Sequence, residues 1–482
     1  MKMTAARSQR MMLHGITFIS WGLCLLFPLL LQSQNCNPQG NWMGAIEGRG
    51  GSLRLGMHLD CSNKVCTGYF TSPDQTSDSF NIDAATLSGD TLIVKCKKLS
   101  AKYKAVFNAG CDTLKGQWNQ AGEIAFAMHR VEVLPVMERP QEPKPPFPYA
   151  TEDVTFPNKK GKFSLAGTLS VPAGTGPFPA VIMISGSGPQ DRNETLLGHK
   201  PFWVIADSLT RAGIAVLRYD DRGVGVSGGD FQKATSYDFA TDALAAFDYL
   251  QTRNEIDPSC IGLIGHSEGG MIAPIVAAKN SKVAFIILLA GPGTTGKQIL
   301  MDQAELIARA DSTPESEIAL NRTILEKIYG LIEKEGYSKE LSGSLKELMK
   351  REAENMTSEQ KEASGLTDAN INRSVSLICT KWFVEFVRFD PQPWLKKVSC
   401  PVLALNGEKD LQVPCAQNLT AIEKALKSGK CKQYKTMAFP GLNHLFQHCT
   451  TCQISEYARI SETFSPEVLH VMIDWINTQC KK

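Results

Sequence analysis

The chain has 482 residues, of which 43% are hydrophobic, and its formal net charge at pH 7 is +2. This length exceeds what one ordinary hydrophobic core accommodates, so we expect two or three folding units. The nearly balanced charge and the lack of a basic stripe with interleaved aromatic residues give no support to a nucleic-acid partner, and we expect none.

The first 33 residues have the pattern of an export signal. Lys2, Arg7 and Arg10 precede an apolar run from Ile16 to Leu31, after which small or polar residues follow. A positive start, an apolar centre and a polar cleavage region are the three parts of such a signal. We expect cleavage near Ser33 and no stable membrane insertion afterwards. A signal that is not cleaved would instead remain as an anchor.

Fourteen cysteines are present, a high number that favours an oxidising compartment over the cytosol. Once Cys24 leaves with the signal, we expect structural disulfides plus one free thiol, in a pairing that spacing alone does not determine. Cys449 and Cys452 have the spacing of a redox or metal pair, but no second such pair lies nearby to complete a zinc site. We therefore expect no metal.

Residues 34–135 predict a small all-β domain. Its apolar runs are short and are separated by turns rich in Asp, Asn, Gly and Ser. The clearest strand-like runs are Leu53–Leu59, Thr67–Phe70, Thr91–Val94 and Ala105–Phe107. The domain has no cluster of acids, bases or metal ligands, so we expect an accessory role, with binding as the alternative. Residues 136–148 hold five prolines and predict an extended linker.

Between residue 149 and the carboxyl terminus, residue 482, apolar strands alternate with amphipathic helices. This alternation is typical of an α/β fold, with a mostly parallel sheet flanked by helices. The predicted strands are Ala166–Val171, Ala180–Ile184, Ala215–Tyr219, Ile261–Ile264, Ala284–Leu289 and Val402–Asn406. From about residue 297 to 391 the pattern is helical, which predicts a lid over the carboxyl ends of the strands, where ligands bind in such sheets. A helical decoration away from the site is the alternative.

One pentapeptide, Gly265-His266-Ser267-Glu268-Gly269, stands where a buried strand meets a helix. This G-x-S-x-G pattern places a serine hydroxyl on a sharp, exposed turn. The two glycines leave room for a turn at which a side chain would collide with the neighbouring strand or helix. Ser267 is therefore the candidate nucleophile.

A serine nucleophile needs a base and an acid that orients the base. Where a G-x-S-x-G elbow carries the serine, the acid and then the histidine follow it in the chain. Asp410, in the loop after a predicted strand, is the preferred acid, with Glu408 as its rival. His444, in a glycine-containing loop before the last helix, is the preferred base, with His448 as the alternative.

The oxyanion of a tetrahedral intermediate needs two hydrogen-bond donors. We expect the backbone N–H of Glu268, directly after the nucleophile, and that of Ser187, in the glycine-containing loop after an early strand. No Gly-Lys-Ser/Thr follows that loop, which argues against a phosphate-binding function. We expect Asp220, Asp221 and Arg222 to form a buried ion pair that braces the sheet beneath the site.

Four strings together resemble the α/β-hydrolase superfamily, and more narrowly its secreted bacterial serine esterases. They are Gly186-Ser-Gly-Pro-Gln-Asp-Arg192, Tyr219–Ser227, Gly265–Gly270 and Leu405–Pro414. In that group Ser185-Gly186 stands where the superfamily usually has His-Gly. The resemblance implies a triad of Ser267, Asp410 and His444 on an α/β-hydrolase fold with a helical lid, preceded by a small all-β domain.

The resemblance also implies carboxylesterase activity on small-molecule esters with short to medium acyl chains. It implies a periplasmic or secreted protein of the bacterial envelope and requires no cofactor. Two alternatives stay open: a serine peptidase of the prolyl-oligopeptidase type, whose propeller would need more residues than precede the linker, and an envelope-binding protein with a non-catalytic hydrolase scaffold. The oligomeric state stays open.

Overall fold

A computed structural model describes residues 36–48, 51–62, 65–74, 79–120, 122–135 and 137–480. The predicted export signal, residues 1–33, lies outside the described residues. The described chain forms an all-β domain followed by an α/β unit. None of the helices in these ranges combines the length and the apolar character needed to cross a bilayer.

The first domain is a closed sheet of antiparallel strands. Nine strands form it: β1 (Gly40–Gly48), β2 (Gly51–Ser62), β3 (Val65–Thr71), β4 (Ser79–Asn81), β5 (Ala84–Ser88), β6 (Thr91–Cys96), β7 (Ala101–Phe107), β8 (Thr113–Asn119) and β9 (Glu123–Val131). Their order is β2-β1-β9-β8-β7-β6-β5-β3-β4, and an added β2–β3 pairing closes the sheet into a barrel. Closure leaves few unpaired strand edges exposed to other chains.

Strand alternation produces the interior of the barrel. In β7 every second residue is buried, as the two-residue period of a strand dictates when one face packs inward. Large aromatic side chains fill the interior, including Trp42, Tyr103 and Trp118. Disulfides Cys36–Cys111 and Cys61–Cys66 cross-link this domain.

The linker is docked rather than free. Arg139 donates hydrogen bonds to the backbone carbonyls of Gly198, Ala458 and Ile460. Gln141 accepts from the backbone N–H groups of Thr463 and Phe464 and donates to the Phe464 carbonyl. The expected extended spacer is therefore fixed against loops near the carboxyl terminus.

An eight-stranded sheet forms the centre of the second unit. Its strands are β10 (Ala150–Asn158), β11 (Phe163–Val171), β12 (Phe178–Ile184), β13 (Ala215–Tyr219), β14 (Ile256–His266), β15 (Ile286–Leu289), β16 (Val402–Gly407) and β17 (Tyr434–Phe439). The order is β10-β11-β13-β12-β14-β15-β16-β17. The strands from β13 to β17 run parallel to one another, whereas β11 pairs antiparallel with both β10 and β13.

Helices cover both faces of this sheet. They are α1 (Pro201–Arg211), α2 (Ser236–Leu250), α3 (Gly269–Lys279), α11 (Cys415–Lys427), α12 (Ile454–Tyr457) and α13 (Pro466–Cys480), with a 3₁₀ turn at Phe231–Lys233. Buried residues of α2, α3 and α11 form the core on one face, and those of α1 and α13 form it on the other. This architecture is the α/β-hydrolase fold, as the sequence predicts.

Seven helices lie between β15 and β16. They are α4 (Gly296–Ala310), α5 (Glu315–Glu335), α6 (Leu341–Glu354), α7 (Ser358–Ala363), α8 (Asp368–Ile378), α9 (Lys381–Val387) and α10 (Gln392–Leu395). Most of them share a hydrophobic core that is separate from the two cores of the sheet. We refer to α4–α9 as the cap.

The cysteines differ from the expectation of one free thiol. Besides the two barrel disulfides, Cys260 pairs with Cys480 and Cys449 with Cys452. Five further cysteines of the described residues are unpaired: Cys96, Cys379, Cys400, Cys415 and Cys431. Three of these five are buried, where they pack as small apolar side chains.

Candidate active site

The site lies where parallel strands end. Strands β12, β14, β16 and β17 run in the same direction, so the loops that follow them meet at one edge of the sheet. Those four loops carry Ser187, Ser267, Asp410 and His444. Residues far apart in the chain are thereby brought to one place.

Ser267 occupies the turn between β14 and α3 with a φ of +52°. A non-glycine residue rarely adopts this left-handed conformation, and such strain concentrates at functional sites. The flanking glycines are required: a Cβ on Gly265 would lie 2.0 Å from the carbonyl oxygen of Gly269. A Cβ on Gly269 would lie 2.1 Å from the carbonyl oxygen of Ile184. The elbow therefore has the geometry that the sequence predicts.

His444 and Asp410 form a buried pair. The Nδ1 atom of His444 lies 2.7 Å from Oδ2 of Asp410, and both side chains are almost fully enclosed. The other carboxylate oxygen of Asp410, Oδ1, accepts hydrogen bonds from the backbone N–H groups of Gln412, at 2.7 Å, and Val413, at 2.9 Å. This arrangement holds Nδ1 as a donor and leaves Nε2 of His444 as the basic nitrogen.

The two rival residues lie elsewhere. Glu408 is exposed at the end of β16. The ring of His448 is 62% exposed and pairs with Glu462 at 2.8 Å. The structure thus brings Asp410 and His444 together and leaves their rivals at the surface.

Two backbone N–H groups beside Ser267 are without a hydrogen-bond partner among the described residues. Within the described part of the chain, the N–H groups of Glu268 and Ser187 make no hydrogen bond. Glu268 directly follows the nucleophile, and both residues line the same cavity as Ser267. They are the donors that the sequence predicts for an oxyanion.

Buried carboxyl groups anchor the loop that carries Ser187. Asp221 accepts from the Ser185 hydroxyl, at 2.8 Å, and from the Gln190 backbone N–H, at 3.0 Å. Between these two points, Glu194 accepts from the backbone N–H of Gly186 at 2.7 Å. Residues 185–190, which we call the oxyanion loop after the predicted donor Ser187, are therefore held at three backbone or side-chain positions without regular secondary structure.

The side chain of Glu268 links the elbow to the cap. Its carboxyl group accepts hydrogen bonds from the hydroxyls of Ser187 and Ser236, at 2.8 and 2.6 Å, and from the indole N–H of Trp382, at 3.0 and 3.2 Å. Burial raises the pKa of Glu268 above its usual range, and the three donors oppose that rise. One carboxyl group thus joins the nucleophile turn, the oxyanion loop, α2 and α9.

The Asp-Asp-Arg segment after β13 pairs differently from the expectation. Arg222 pairs with Asp242 at 2.7 Å, while Asp220 pairs with Arg192. Asp221 forms no ion pair with a basic side chain of the described residues, and burial raises its pKa to about 8, opposed by the hydrogen bonds it accepts. All three residues are buried as predicted, but they brace the oxyanion loop and α2 rather than one another.

Ser267 and His444 line one cavity of about 260 Å³ between the sheet and the cap. Its apolar walls include Leu300, Trp382 and Phe386. Neutral amides from Gln190, Gln303 and Gln412 also line it. No group of three or more His, Cys, Asp or Glu side chains in the described ranges is arranged to hold a metal ion.

Sequence reasoning missed two groups that shape this site. Glu194 and Trp382 were not identified as site residues, since their partners lie 8, 72 and 114 positions away in the chain. The only available signal for Glu194 was its place in the polar segment Gln190–Glu194 directly after the glycine-containing loop.

Sequence comparison gives two curated relatives. Esterase EstD of Thermotoga maritima is 28% identical over 281 residues, which cover 58% of this chain and 58% of EstD. The putative hydrolase YtaP of Bacillus subtilis is 33% identical over 131 residues, which cover 23% of this chain and 43% of YtaP. The chain therefore spans less than two thirds of the length of the relatives it matches.

Two solved structures are similar to part of this chain. Est1E of Butyrivibrio proteoclasticus, with ferulic acid bound, shares 17% identity at a TM-score of 0.41, over 68% of this chain and 100% of that one. The hypothetical protein PA2218 of Pseudomonas aeruginosa shares 18% at a TM-score of 0.43, over 73% of this chain and 100% of that one. Likeness at this level carries no statement about function.

A family model described as serine aminopeptidase, S33, matches residues 202–448. The match includes the elbow, the acid loop and the histidine loop, and it spans just over half of the 482 residues. The chain therefore belongs to this family of α/β hydrolases.

Proposed function

We propose that this protein is an exported serine esterase that hydrolyses small-molecule carboxylic esters with short to medium acyl chains. The observation that carries the proposal is the left-handed Ser267 on the wall of one cavity with the buried Asp410–His444 pair. The similarity to EstD, an esterase, supports the same reaction class.

In the first half of the reaction, Nε2 of His444 takes the proton of the Ser267 hydroxyl as its oxygen attacks the ester carbonyl carbon. Asp410 accepts the Nδ1–H bond and stabilises the imidazolium that forms. The carbonyl oxygen becomes an oxyanion that accepts hydrogen bonds from the N–H groups of Glu268 and Ser187. Collapse breaks the ester C–O bond, and His444 gives its proton to the leaving alcohol.

The second half repeats these steps with water. His444 removes a proton from a water molecule, whose oxygen attacks the acyl-enzyme carbonyl. The tetrahedral intermediate uses the same two backbone donors. Its collapse breaks the bond to Ser267 Oγ, returns the proton to the serine and releases the carboxylic acid. Every group that this sequence of steps needs belongs to the chain itself.

The dimensions of the cavity support small esters. At about 260 Å³, the cavity lies just below the range of roughly 300–1,000 Å³ that is usual for sites of drug-sized ligands. Its apolar walls suit an acyl chain, and its neutral amides suit an uncharged alcohol group. A long acyl chain would need displacement of the cap.

Aminopeptidase activity is the second candidate, since the family description names it. An aminopeptidase needs an acceptor for the substrate's α-ammonium group. The carboxylates that line the cavity, Glu194 and Glu268, are already engaged, Glu194 by His266 and Gly186 and Glu268 by three donors. Recruiting either one would break the contacts that hold the oxyanion loop. This cost favours neutral esters.

Export is proposed from the signal pattern of residues 1–33 and from the four disulfides. Disulfides persist in oxidising compartments and are rare in the cytosol. We further propose a periplasmic or secreted protein of the bacterial envelope, in which the barrel is an accessory domain.

The test is hydrolysis of p-nitrophenyl esters, from acetyl to long acyl chains, by the mature protein and its Ser267→Ala variant, beside an aminoacyl anilide. We expect the highest kcat/KM on short to medium chains and a loss of at least about 10⁴-fold in the variant. Ser259→Ala, at an exposed serine near the other end of β14, is the matched control and should keep full activity.

Other outcomes overturn the proposal. Anilide cleavage without ester cleavage would establish a peptidase. A protein that binds envelope material but turns over neither substrate would establish the non-catalytic scaffold. Ester turnover that survives in Ser267→Ala would place the nucleophile elsewhere.

A further inference from the structure

A second acid–histidine pair lies directly behind the nucleophile. Glu194 Oε1 is 3.0 Å from Nδ1 of His266, the residue that precedes Ser267. The two residues are only 3% and 7% exposed. Neither group takes part in the reaction steps above, and burying two such groups carries a desolvation cost that their mutual contact and further hydrogen bonds must offset.

The hydrogen bonds of His266 determine its charge. Its Nδ1 faces a carboxylate, and its Nε2 lies 3.1 Å from the backbone carbonyl oxygen of His444. A carbonyl oxygen only accepts, and so does an ionised carboxylate, so both ring nitrogens must carry hydrogen for both bonds to form. His266 is then an imidazolium paired with the Glu194 carboxylate.

The electrostatics of the pocket agree with this assignment. Burial alone lowers the pKa of His266, but the charge and hydrogen bond of Glu194, the His444 carbonyl and the charge of Asp410 outweigh burial and raise it. The remaining walls of the small cavity behind the pair are apolar: Pro201, Phe202, Ile205, Leu289, Leu445 and Phe464. Glu194 is therefore the only counter-ion in contact with His266 among the described residues.

The pair holds two parts of the site at once. Glu194 Oε1 also accepts the backbone N–H of Gly186 at 2.7 Å, next to the predicted oxyanion donor Ser187. His266 donates to the backbone of His444, and the rings of the two histidines are 4.9 Å apart. A shift of either residue would therefore move an oxyanion donor or the catalytic base relative to Ser267.

We propose that Glu194 and His266 are positioning residues, a buried carboxylate–imidazolium pair that fixes the oxyanion loop and the His444 loop against the nucleophile. The proposal rests on the serine hydrolase function proposed above. Both residues line the site cavity, but the atoms that form the pair are occupied by each other and by the backbone of Gly186 and His444. Loss of the pair should therefore raise the barrier of the chemical steps more than it weakens ground-state binding. A displacement of about 1 Å costs about 10²-fold in rate.

The first test is spectroscopic and begins with the wild-type protein. In ¹⁵N-histidine-labelled protein, both ring nitrogens of His266 should carry protons at pH 7.5, and Glu194→Gln should convert the ring to a neutral tautomer. The groups facing His266 are Glu194, Asp410 and His444. A neutral His266 ring in the wild-type protein overturns the proposal whether or not the protein hydrolyses esters, so failure here is distinct from failure of the proposed function.

The second test is kinetic. Glu194→Gln keeps an oxygen for the Gly186 N–H but removes the charge, so kcat should fall about 10- to 100-fold while KM stays within about a factor of two. The Glu194→Gln/His266→Gln double variant should lose no more than the worse single variant, because both changes break one interaction. Unchanged kcat, or losses that multiply in the double variant, would contradict the proposal.

A matched control separates positioning from folding. Arg222 and Asp242 form another buried ion pair, which contacts neither Ser267 nor His444. Asp242→Asn should lower the melting temperature but leave the kcat of the folded protein unchanged. An equal fall in kcat in this variant would show that any buried ion-pair loss impairs the site, and it would overturn a specific role for Glu194 and His266.

Discussion

Replacing Asp410 with asparagine exchanges a hydrogen-bond acceptor for a donor at the contact with His444. Oδ1 of Asp410 receives two backbone N–H groups, from Gln412 at 2.7 Å and Val413 at 2.9 Å, while Oδ2 faces Nδ1 of His444 at 2.7 Å. In the variant the amide oxygen must stay at the Oδ1 position, because two donors point to it. The amide NH₂ then faces Nδ1 of His444.

Two N–H donors do not share a hydrogen bond, so His444 in this variant must carry its proton on Nε2. That nitrogen is the one that accepts the proton of Ser267. We expect kcat to fall by about 10⁴-fold, which corresponds to about 5 kcal/mol of barrier. The assay is p-nitrophenyl acetate hydrolysis at pH 7.5, with the melting temperature as a check that the variant folds.

Glu408→Gln is the matched control, since Glu408 precedes Asp410 by two positions but is exposed. Its activity should equal that of the wild type. A folded Asp410→Asn variant that keeps more than about a tenth of the wild-type kcat would refute the role of Asp410. A large loss in Glu408→Gln would instead assign the acid to Glu408.

Three further predictions concern stability. Trp382→Phe removes a hydrogen bond to the buried carboxyl group of Glu268 and should lower the free energy of unfolding in urea by about 1–2 kcal/mol. The control is Trp475→Phe, which removes an indole N–H that has no partner among the described residues. It should lower the free energy of unfolding by less. Burial raises the pKa of Asp221 to about 8, so the stabilising contribution of this group is complete below about pH 4 and is lost as pH rises to about 8. The free energy of unfolding of Asp221→Asn should therefore rise relative to that of the wild type between those pH values. A difference in the free energy of unfolding that stays constant with pH would refute the shift. Opening the Cys260–Cys480 disulfide, which joins residues 220 positions apart, by a double serine substitution should cost about 2–4 kcal/mol in the same assay.

The elbow was predictable because its signals are local. A buried strand, two glycines around Ser267 and an apolar helix occupy consecutive positions, and each has a steric reason. The proximity of Asp410 and His444 was predictable from chain order together with their places after strands. The structure adds the distance between them and shows which rival carboxylate and histidine lie at the surface.

The supports of the oxyanion loop were not predictable in the same way. Asp221 and Glu268 contact the loop from positions 36 and 81 residues away in the chain. Their neighbours are determined by strand order, which places β12 between β13 and β14. A carboxyl group in a polar segment has no local signal that separates a buried anchor from a solvated side chain. This is also why the ion pair expected among Asp220, Asp221 and Arg222 is replaced by pairs with Arg192 and Asp242.

The closure of the β-sheet into a barrel was also not predictable from the sequence. Alternating residues predicted strands there, but the β2–β3 pairing that closes the sheet follows from the register of the whole sheet. The cysteine pairing depends on the same long-range geometry: Cys36 meets Cys111, whereas Cys96 in β6 meets no other cysteine. Spacing along the chain carries no information about such distances.

The most direct test of the central claim is covalent labelling of the nucleophile with a fluorophosphonate, followed by peptide mass mapping. The account predicts one adduct per chain, on Ser267, that is absent in Ser267→Ala and forms much more slowly in Asp410→Asn. An adduct on a different serine, or none in a protein that hydrolyses esters, would contradict the assignment of Ser267, His444 and Asp410 as the catalytic triad.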